Sequence, residues 1–242
     1  MSLRILHEFS NLDLLDDLTR EAAALRGEEN CLSAEVYRAM GGEEHGALTL
    51  IWRDEVSYWA LWDRVLTGAY PHLGSLARSG AISGEFYTRA PYRLSGGRWV
   101  PESDAETGRR IVWPARGAVR IIIQGAYETS ADMADLTRLE VEETRREHGC
   151  LAYAWMANVE LADHLMLVEL WEDQEIYDHH WEIRTQTADF RGNSGRSPRT
   201  PERGLATREF YRHEAFTHLY DRWQPARVED YSATVVWGPP VD

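Results

Sequence analysis

Lysine is absent from this sequence of 242 residues, and all 26 of its basic residues are arginine. Chemistry that needs a lysine amine, such as a Schiff base, is therefore excluded. Cysteine is scarce, with only Cys31 and Cys150 present, and neither lies in a clustered metal-binding pattern. Two such cysteines do not indicate a disulfide framework, so we expect both to act as small apolar residues.

Positive charge is also in deficit, and the formal net charge is −14. Nucleic acids and anionic membrane surfaces bind to concentrated basic faces, so neither is an expected partner. The first residues, MSLRILHEFSNLDLLDD, lack a basic segment followed by an apolar run. No apolar stretch is long enough to span a bilayer. These features predict a soluble, cytoplasmic protein.

Aromatic residues with a polar group are abundant, with 10 Trp and 11 Tyr against 5 Phe. Such side chains line pockets and interfaces, because each joins a large apolar ring to a hydrogen-bonding group. Core packing is the alternative use for many of them.

The chain repeats itself. A first set of residues corresponds at a spacing of 119, and a second set at a spacing of 124. At 119 the pairs are Cys31 with Cys150, Trp52 with Trp171, Asp54 with Asp173, Tyr58 with Tyr177 and Trp62 with Trp181. At 124 they include Phe86 with Phe210, Tyr87 with Tyr211 and Trp99 with Trp223. We interpret this as a tandem duplication with domains 1–116 and 117–242, joined by the linker Pro114–Gly117.

The length difference falls in residues 185–206, a surface loop by its Gly, Ser, Pro and Arg content. The second copy predicts strand, helix, strand, strand, helix and strand. The predicted strands are 119–124, 150–157, 164–171 and 208–211, and the helices run from 130–132 to about 147 and from Asp173 to about 184. Asp173 is the expected helix cap.

The predicted element order is ferredoxin-like, and the fold class is α+β. Each sheet needs its open face covered, so we expect the two modules to form an intramolecular dimeric α+β barrel. The chain would then be a pseudo-dimeric monomer, and further homodimerisation stays open. For the first strand, a spacing of 116 aligns Arg4 with Arg120, and one of 118 aligns Phe9 with Tyr127. The sequence does not choose between them.

Three motifs in the second copy resemble the antibiotic biosynthesis monooxygenase family. They are Gly149-Cys150-Leu151-Ala152-Tyr153, Glu169-Leu170-Trp171-Glu172-Asp173 and, on the helix that follows, His180. The resemblance covers most of residues 118–181. The first copy matches less well, with Asn30, Ala34 and Leu61 in place of the glycine, the tyrosine and the histidine. We therefore expect the first copy to have a degenerate site.

The resemblance implies oxidation of polycyclic phenolic, polyketide-like intermediates by molecular oxygen without metal, haem or flavin. It also implies a dimeric α+β barrel. Polyketide cyclases, haem-degrading enzymes and proteins without known chemistry share that fold, so the fold alone does not fix the function. A cyclase or isomerase of similar substrates and a non-catalytic aromatic-ligand-binding protein are the alternatives.

The predicted catalytic residues are His180, Trp171 and Tyr153. His180 is the candidate general base, Trp171 is either a stacking wall or a core residue, and Tyr153 would donate a hydrogen bond to a substrate oxygen. The predicted substrate-binding residues are Trp155, Tyr177, His179, Trp181, Tyr211 and His213.

Residues present in one copy indicate the site, whereas residues shared by both copies indicate the fold. This criterion favours five residues as members of the site. They are Tyr153, Trp155, His179, His180 and His213, whose counterparts are Ala34, Val36, Ala60, Leu61 and Arg89.

Cofactor patterns are missing from the sequence. No His-x-x-x-His, Cys-x-x-Cys or Gly-x-Gly-x-x-Gly pattern indicates a metal, nucleotide or flavin. Haem-degrading relatives use a histidine further along the second helix, where this chain has residues 187–190, Thr-Ala-Asp-Phe. We therefore predict no cofactor and no metal, with O2 as co-substrate and a small aromatic molecule as substrate.

Overall fold

The computed structural model describes residues 2–79, 82–89, 91–95, 98–101, 118–186, 196–198 and 207–226. Within these ranges it contains thirteen strands and five α-helices. The strands are Leu3–Phe9 (β1), Cys31–Ala39 (β2), Gly46–Trp52 (β3), Ile82–Thr88 (β4), Pro91–Ser95 (β5), Arg98–Pro101 (β6), Val119–Thr129 (β7), Cys150–Asn158 (β8), His164–Trp171 (β9), Arg196–Pro198 (β10), Thr207–Arg212 (β11), Ala215–Leu219 (β12) and Arg222–Pro225 (β13). The helices are Leu15–Leu25 (α1), Glu55–Leu66 (α2), Pro71–Ser79 (α3), Met133–Thr144 (α4) and Gln174–Gln186 (α5).

The predicted element order occurs twice. It is β1-α1-β2-β3-α2-β4 in Leu3–Thr88, which we name the first module, and β7-α4-β8-β9-α5-β11 in Val119–Arg212, the second module. The strand order is β4-β1-β3-β2 in the first module and β8-β9-β7-β11 in the second. The α+β fold class is therefore confirmed. The division into domains 1–116 and 117–242 stays a prediction, and its linker Pro114–Gly117 lies outside the described residues.

Strand register decides how the first strands of the two modules correspond. Leu3 lies opposite Trp52 in the first module, and Val119 lies opposite Trp171 in the second. Because Trp52 and Trp171 are equivalent, Leu3 corresponds to Val119 at a spacing of 116. Arg4 and Arg120 are therefore equivalent.

One continuous, curled sheet contains both modules. Strands β2 and β8 pair antiparallel and join the two halves at Tyr37 and Asn158. Strands β4 and β11 are the first and last of the eight strands that the two modules contribute to this sheet. Even so, the ring of Tyr87 on β4 stacks on the ring of Tyr211 on β11, with centroids 4.2 Å apart. The sheet therefore curls until these two strands meet, and a buried cluster including Met156, Met166 and Val168 fills its interior.

Two hairpins that the sequence did not predict extend the modules. The hairpin β5–β6 follows the first module but pairs with β11 of the second, and the hairpin β12–β13 follows the second but pairs with β4 of the first. The hairpin that follows each module in the sequence thus extends the outer edge of the other module's sheet. Helix α3, which has no equivalent among the described elements of the second module, was also not predicted.

The helices begin and end largely as expected. The carboxylate of Asp173 accepts a hydrogen bond of 2.9 Å from the Ile176 backbone, which confirms the predicted cap. Helix α4 ends at Thr144, earlier than predicted. Gly149 then takes a positive φ of 75°, and a Cβ there would lie 2.7 Å from Ile176. This glycine therefore permits both the turn and the close packing of α5.

None of the described helices is long and apolar enough to cross a membrane. Cys31 and Cys150 are free thiols and half-buried. Burial raises the pKa of Cys31 to about 11 and that of Cys150 to about 12, so both stay protonated at neutral pH. The predicted surface loop at 185–206 is described only at its first two residues, which end α5, and at β10.

Candidate functional site

The candidate site lies in the second module between the sheet and helices α4 and α5. Alternate residues of β9 divide between the two faces of the sheet. Leu165, Leu167 and Trp171 join the cluster under the helices, whereas Met166 and Val168 join the interior of the curled sheet. Trp171 therefore lies on the helix-covered face of the sheet.

His180 lies at the centre of this site. Helix α5 carries it, and only 6% of the residue is exposed. Its Nδ1 lies 2.6 Å from Oε2 of Glu147, in the turn after α4, and Oε1 of the same carboxylate accepts from Arg184 at 3.2 Å. A carboxylate at this distance fixes the orientation of the imidazole ring.

Trp171 forms one wall beside His180. The two ring centroids are 4.5 Å apart, and Trp171 is fully buried. Its indole Nε1 donates to Oε2 of Glu169 at 2.9 Å. Burial raises the pKa of Glu169, although its interactions with His180 and Arg208 oppose the shift. Trp171 thus contacts the candidate base and is also part of the core.

Two donors from β8 converge on one carboxylate of α4. Tyr153 donates from its hydroxyl to Oε1 of Glu140 at 2.6 Å, and the indole Nε1 of Trp155 donates to the same oxygen at 2.9 Å. Tyr153 lies 6.2 Å from His180 between ring centroids. The phenol of Tyr153 is therefore oriented by Glu140 rather than rotating freely.

An arginine enters the site from β11. Nη1 of Arg208 donates to the hydroxyl of Tyr177 at 2.9 Å, and its guanidinium lies 4.2 Å from the ring centroid of Trp181. Both Arg208 and Tyr177 are buried. Burial raises the pKa of Tyr177, which keeps its hydroxyl protonated at neutral pH.

Six of the predicted site residues lie together here, and three do not. The six are His180, Trp171, Tyr153, Trp155, Tyr177 and Trp181. His179 is exposed on α5. Tyr211 and His213 lie in the interior of the curled sheet instead, where Tyr211 stacks on Tyr87 and Nδ1 of His213 is 3.6 Å from Glu85. The alternation of side chains along β11 explains why Tyr211 and Phe210 face opposite sides.

Sequence reasoning missed four charged residues of the site. Glu169 and Arg208 could have been found, because their counterparts Leu50 and Gly84 in the first copy are uncharged. Glu140 and Glu147 gave no such signal, since Glu21 and Glu28 occupy their positions in the first copy. Only the structure shows that the same residue type has different partners in the two modules.

In the first module the equivalent acids, Glu21 and Glu28, hold neighbouring elements together through hydrogen bonds. Glu28 accepts from Arg64 and Tyr70, at 2.9 Å and 2.6 Å. Glu21 accepts from the backbone of His72 and Leu73 at the start of α3. Leu61, the counterpart of His180, is 1% exposed within the apolar core. The first module therefore keeps two of the acids with other partners and has a leucine at the position of His180.

Metal ligands do not cluster in the part of the chain that the structure describes. No group of three or more His, Cys, Asp or Glu residues there could hold a metal ion. The carboxylates near His180 are instead engaged by Arg184, Trp171, Tyr153 and Trp155.

The second module is an α+β unit whose helices α4 and α5 pack on one face of a curled sheet. Residues 119–190 match the family model of the antibiotic biosynthesis monooxygenases. The predicted family resemblance is thus confirmed for this segment, which holds His180 and its contacts Glu147, Trp171 and Tyr177. No curated protein matches the chain.

Several solved structures are similar to the chain at low identity. A candidate monooxygenase from Fusobacterium nucleatum is 9% identical, with 93% of this chain and 97% of that chain covered and a TM-score of 0.34. One from Lactobacillus acidophilus is 12% identical, with 93% and 99% covered and a TM-score of 0.30. An anthrone oxidase-like protein is 11% identical, with 91% and 95% covered and a TM-score of 0.34. Likeness at this level carries no argument about function.

Proposed function

We propose that the chain is a monooxygenase that oxidises a flat polycyclic phenol, or its ketone tautomer, to a quinone with O2 and without a cofactor. The observation that carries the proposal is the pair of buried His180 and partly exposed Glu147, 2.6 Å apart, beside the ring of Trp171. It lies within the segment that matches the monooxygenase family. The pair supplies a base, and the surrounding rings supply an apolar environment for a flat substrate.

His180 is the proposed base, acting through Nε2. Its Nδ1 is engaged by the Glu147 carboxylate, so Nδ1 carries the proton in the neutral ring and Nε2 presents a lone pair. Proton transfer to Nε2 produces an imidazolium, which the same carboxylate stabilises. Arg184 holds that carboxylate in place from the other side.

The proposed reaction balances without an external reductant. Loss of a proton from a doubly benzylic CH2 group gives a carbanion whose charge spreads over the phenolate. The carbanion supplies electrons to O2, a C–O bond forms, and protonation gives a hydroperoxide. Loss of the second C–H proton then forms C=O and breaks the O–O bond, which releases water. The substrate carbon supplies all four electrons, one oxygen atom enters the product and the other enters water.

The remaining residues are proposed to bind and orient the substrate. Trp171, Trp155 and Tyr177 present ring surface, and Arg208 presents donors near the same space, whereas the hydroxyl of Tyr153 donates to Glu140. Fixed donors in an environment of low dielectric stabilise developing phenolate charge more strongly than water does. Exclusion of water also protects the reactive intermediates.

Anthrone is a suitable test substrate because it has an acidic CH2 group between two rings and a phenolic tautomer. We expect the protein to convert anthrone and O2 into anthraquinone and water faster than the uncatalysed oxidation measured without protein. One atom of 18O2 should appear in the new carbonyl group. Substitution His180→Ala should remove the acceleration, whereas His179→Ala, next to it and exposed, should preserve it.

The alternatives give different results in the same assays. A cyclase or isomerase would use His180 as an acid and base only, and it would turn over its substrate without oxygen. A non-catalytic binding protein would bind the aromatic compound and form no product. Oxygen-independent turnover, or binding without any turnover, would overturn the oxygenase proposal.

A further inference from the structure

The first module contains an aromatic cluster where the second module has its acid and base groups. We name it the first-module cluster. It comprises Trp52, Tyr58, Trp59, Trp62, Phe86, His218 and Trp223. Three of its rings form a triangle, because Trp62, His218 and Trp223 have centroids 5.2 to 5.4 Å apart in each pair. His7 stacks on Trp223 at 5.0 Å.

Several polar atoms of this cluster have no hydrogen-bond partner among the described residues. They are the indole Nε1 atoms of Trp52, Trp62 and Trp223 and the imidazole Nε2 of His218, and all four are shielded from solvent. The three tryptophans are 1%, 3% and 7% exposed. An unmet buried donor costs about 1–3 kcal/mol, so native proteins seldom keep several of them together.

The equivalent tryptophan of the second module has a hydrogen-bond acceptor that the first module lacks. There Trp171 donates to Glu169, but the equivalent Trp52 has Leu50 at the position of that glutamate. The loss leaves a donor without an acceptor. In contrast, Trp59 in the same cluster donates to Glu55 at 3.0 Å, so satisfied indoles also occur here.

From this geometry we infer that the first-module cluster is a second binding site, and that its ligand is a flat, neutral aromatic ketone or quinone. An indole N–H can only donate, so the ligand must present acceptor oxygens. The rings favour a flat aromatic body. Because the unmet donors are neutral, a carbonyl suits them better than a carboxylate, whose charge is costly to bury without a counter-charge.

The cover of this site is the hairpin β12–β13, which the second module supplies. Trp223 lies on its outer strand, and β12 meets β4 through only two residue pairs, Ala215 with Glu85 and Phe216 with Gly84. Trp223 packs over Gly84 so closely that a Cβ there would be 2.9 Å from the indole ring. Entry of a ligand would require this hairpin to move away from the sheet.

The biological meaning of the site rests on the proposed function, because ketones and quinones are the products of that reaction. The binding chemistry itself does not depend on His180. The first module would then hold a product molecule while the second carries out turnover, so the two sites can be tested separately.

The indole N–H signals in a 15N-correlated NMR spectrum report both sites at once. The probe is 1-indanone, a flat aromatic ketone, and the matched control is indane, which has the same rings without the carbonyl group. We expect 1-indanone to move the signals of Trp62 and Trp223 downfield in a saturable way, and indane to leave their hydrogen-bonding shift unchanged. Trp→Phe variants at each position assign the signals.

Two variants separate hydrogen bonding from packing. Trp62→Phe removes an unmet donor and should weaken 1-indanone binding roughly three- to tenfold, as loss of one neutral hydrogen bond predicts. The control Tyr70→Phe removes a hydroxyl of the first module that lies outside the cluster and already donates to Glu28, and it should leave the affinity unchanged. The other indole signals in each spectrum show that the variants are folded.

The inference is overturned if no first-module signal responds to 1-indanone, or if indane and 1-indanone give equal shifts. It is also overturned if only Trp155, Trp171 and Trp181 respond, since that places binding in the second module alone. If the protein binds 1-indanone at Trp62 and Trp223 but does not oxidise anthrone, the proposed reaction is refuted. The inference of a binding site in the first module is then unaffected.

Discussion

Arg4 and Glu209, 205 positions apart in the sequence, form an ion pair with two hydrogen bonds of 2.8 Å, and each side chain is 1% exposed. The equivalent pair, Arg120 with Glu85, repeats this geometry at 2.9 Å and 2.6 Å. Each module therefore supplies one arginine to the other and receives one glutamate in return. The reciprocal exchange is what a duplicated homodimer would retain.

The exchanged pairs predict that half of the chain does not form a soluble monomer. A fragment of residues 1–116 leaves Arg4 and Glu85 without their partners and exposes the interior of the curled sheet. We expect it to aggregate or self-associate, as measured by size-exclusion chromatography with light scattering. Co-expression with residues 117–242 should give a one-to-one complex, although linkage in one chain favours assembly more strongly. A well-folded monomeric fragment would contradict the pseudo-dimer.

Acid should unfold the protein partly through Glu209. Burial would raise the pKa of Glu209, but the charges of Arg4 and Arg89 outweigh it and lower the pKa. The unfolded value is about 4.3, so the stabilisation is complete above that pH and is lost as the pH falls through the lower folded value. Urea unfolding between pH 7 and pH 3 should therefore show a steep loss of stability below about pH 4.

The variant Glu209→Gln tests how much the charge of Glu209 contributes to stability. At pH 7 it should lower the free energy of unfolding by about 3–5 kcal/mol, because Arg4 stays buried without a full counter-charge. Its stability should also fall less steeply in acid. The control Glu142→Gln alters a half-exposed pair with Arg138 and should change little. Parallel pH curves for wild type and Glu209→Gln would refute the assignment.

The fold could be predicted from sequence because periodic patterns and duplicated residues set it locally. The apolar spacing of Leu18, Ala22 and Leu25 marks a helix in any context, and the cap at Asp173 acts within three residues. The two hairpins could not be predicted. Their strands are short, and they pair with the opposite module, so no local pattern records the partner.

The two candidate site residues with the clearest sequence signal are ones whose type changed between copies. His180 and Tyr153 differ from Leu61 and Ala34, and they were found. Glu147 was missed because its counterpart Glu28 is identical in type, and the difference lies only in which side chain each carboxylate meets. Contacts of this kind depend on helix placement, which the sequence does not specify directly.

Glu147 is predicted to position His180 and to stabilise its protonated form. Glu147→Gln keeps an acceptor for Nδ1 but removes the charge, and it should lower kcat on the order of tenfold with little change in KM. Glu147→Ala removes both the acceptor and the charge, so it should lower kcat further. Steady-state kinetics with anthrone measure each effect. The control Glu28→Gln changes the same residue type in the first module, and equal kinetic effects of the two glutamine variants would contradict the role.

Purified protein is expected to contain no stoichiometric metal, haem or flavin. The carboxylates around His180 already bind arginine, tyrosine and indole donors, and the proposed reaction takes all its electrons from the substrate. Elemental analysis and a visible spectrum test this, and activity should survive dialysis against a chelator. One bound metal per chain, or an intrinsic chromophore, would overturn the cofactor-free proposal.

The last prediction compares His180 with Leu61, the residues at the same helical position in the two modules. If the chain arose by the predicted duplication, one copy could lose its catalytic residues while both still supplied sheet and helices. Residues of the fold therefore persist in pairs, as Trp52 and Trp171 do, and chemical residues survive singly. The proposed base is on the second copy alone.

His180→Ala should lower turnover by ~10²–10⁴-fold, the usual loss when general-base help is removed. Leu61 is 1% exposed, so Leu61→Ala should instead lower stability by about 2–5 kcal/mol and leave turnover per folded molecule nearly unchanged. Turnover of anthrone and thermal melting of both variants, measured side by side, test the pair. Full activity in His180→Ala, or a folded but inactive Leu61→Ala, would show that the site lies elsewhere.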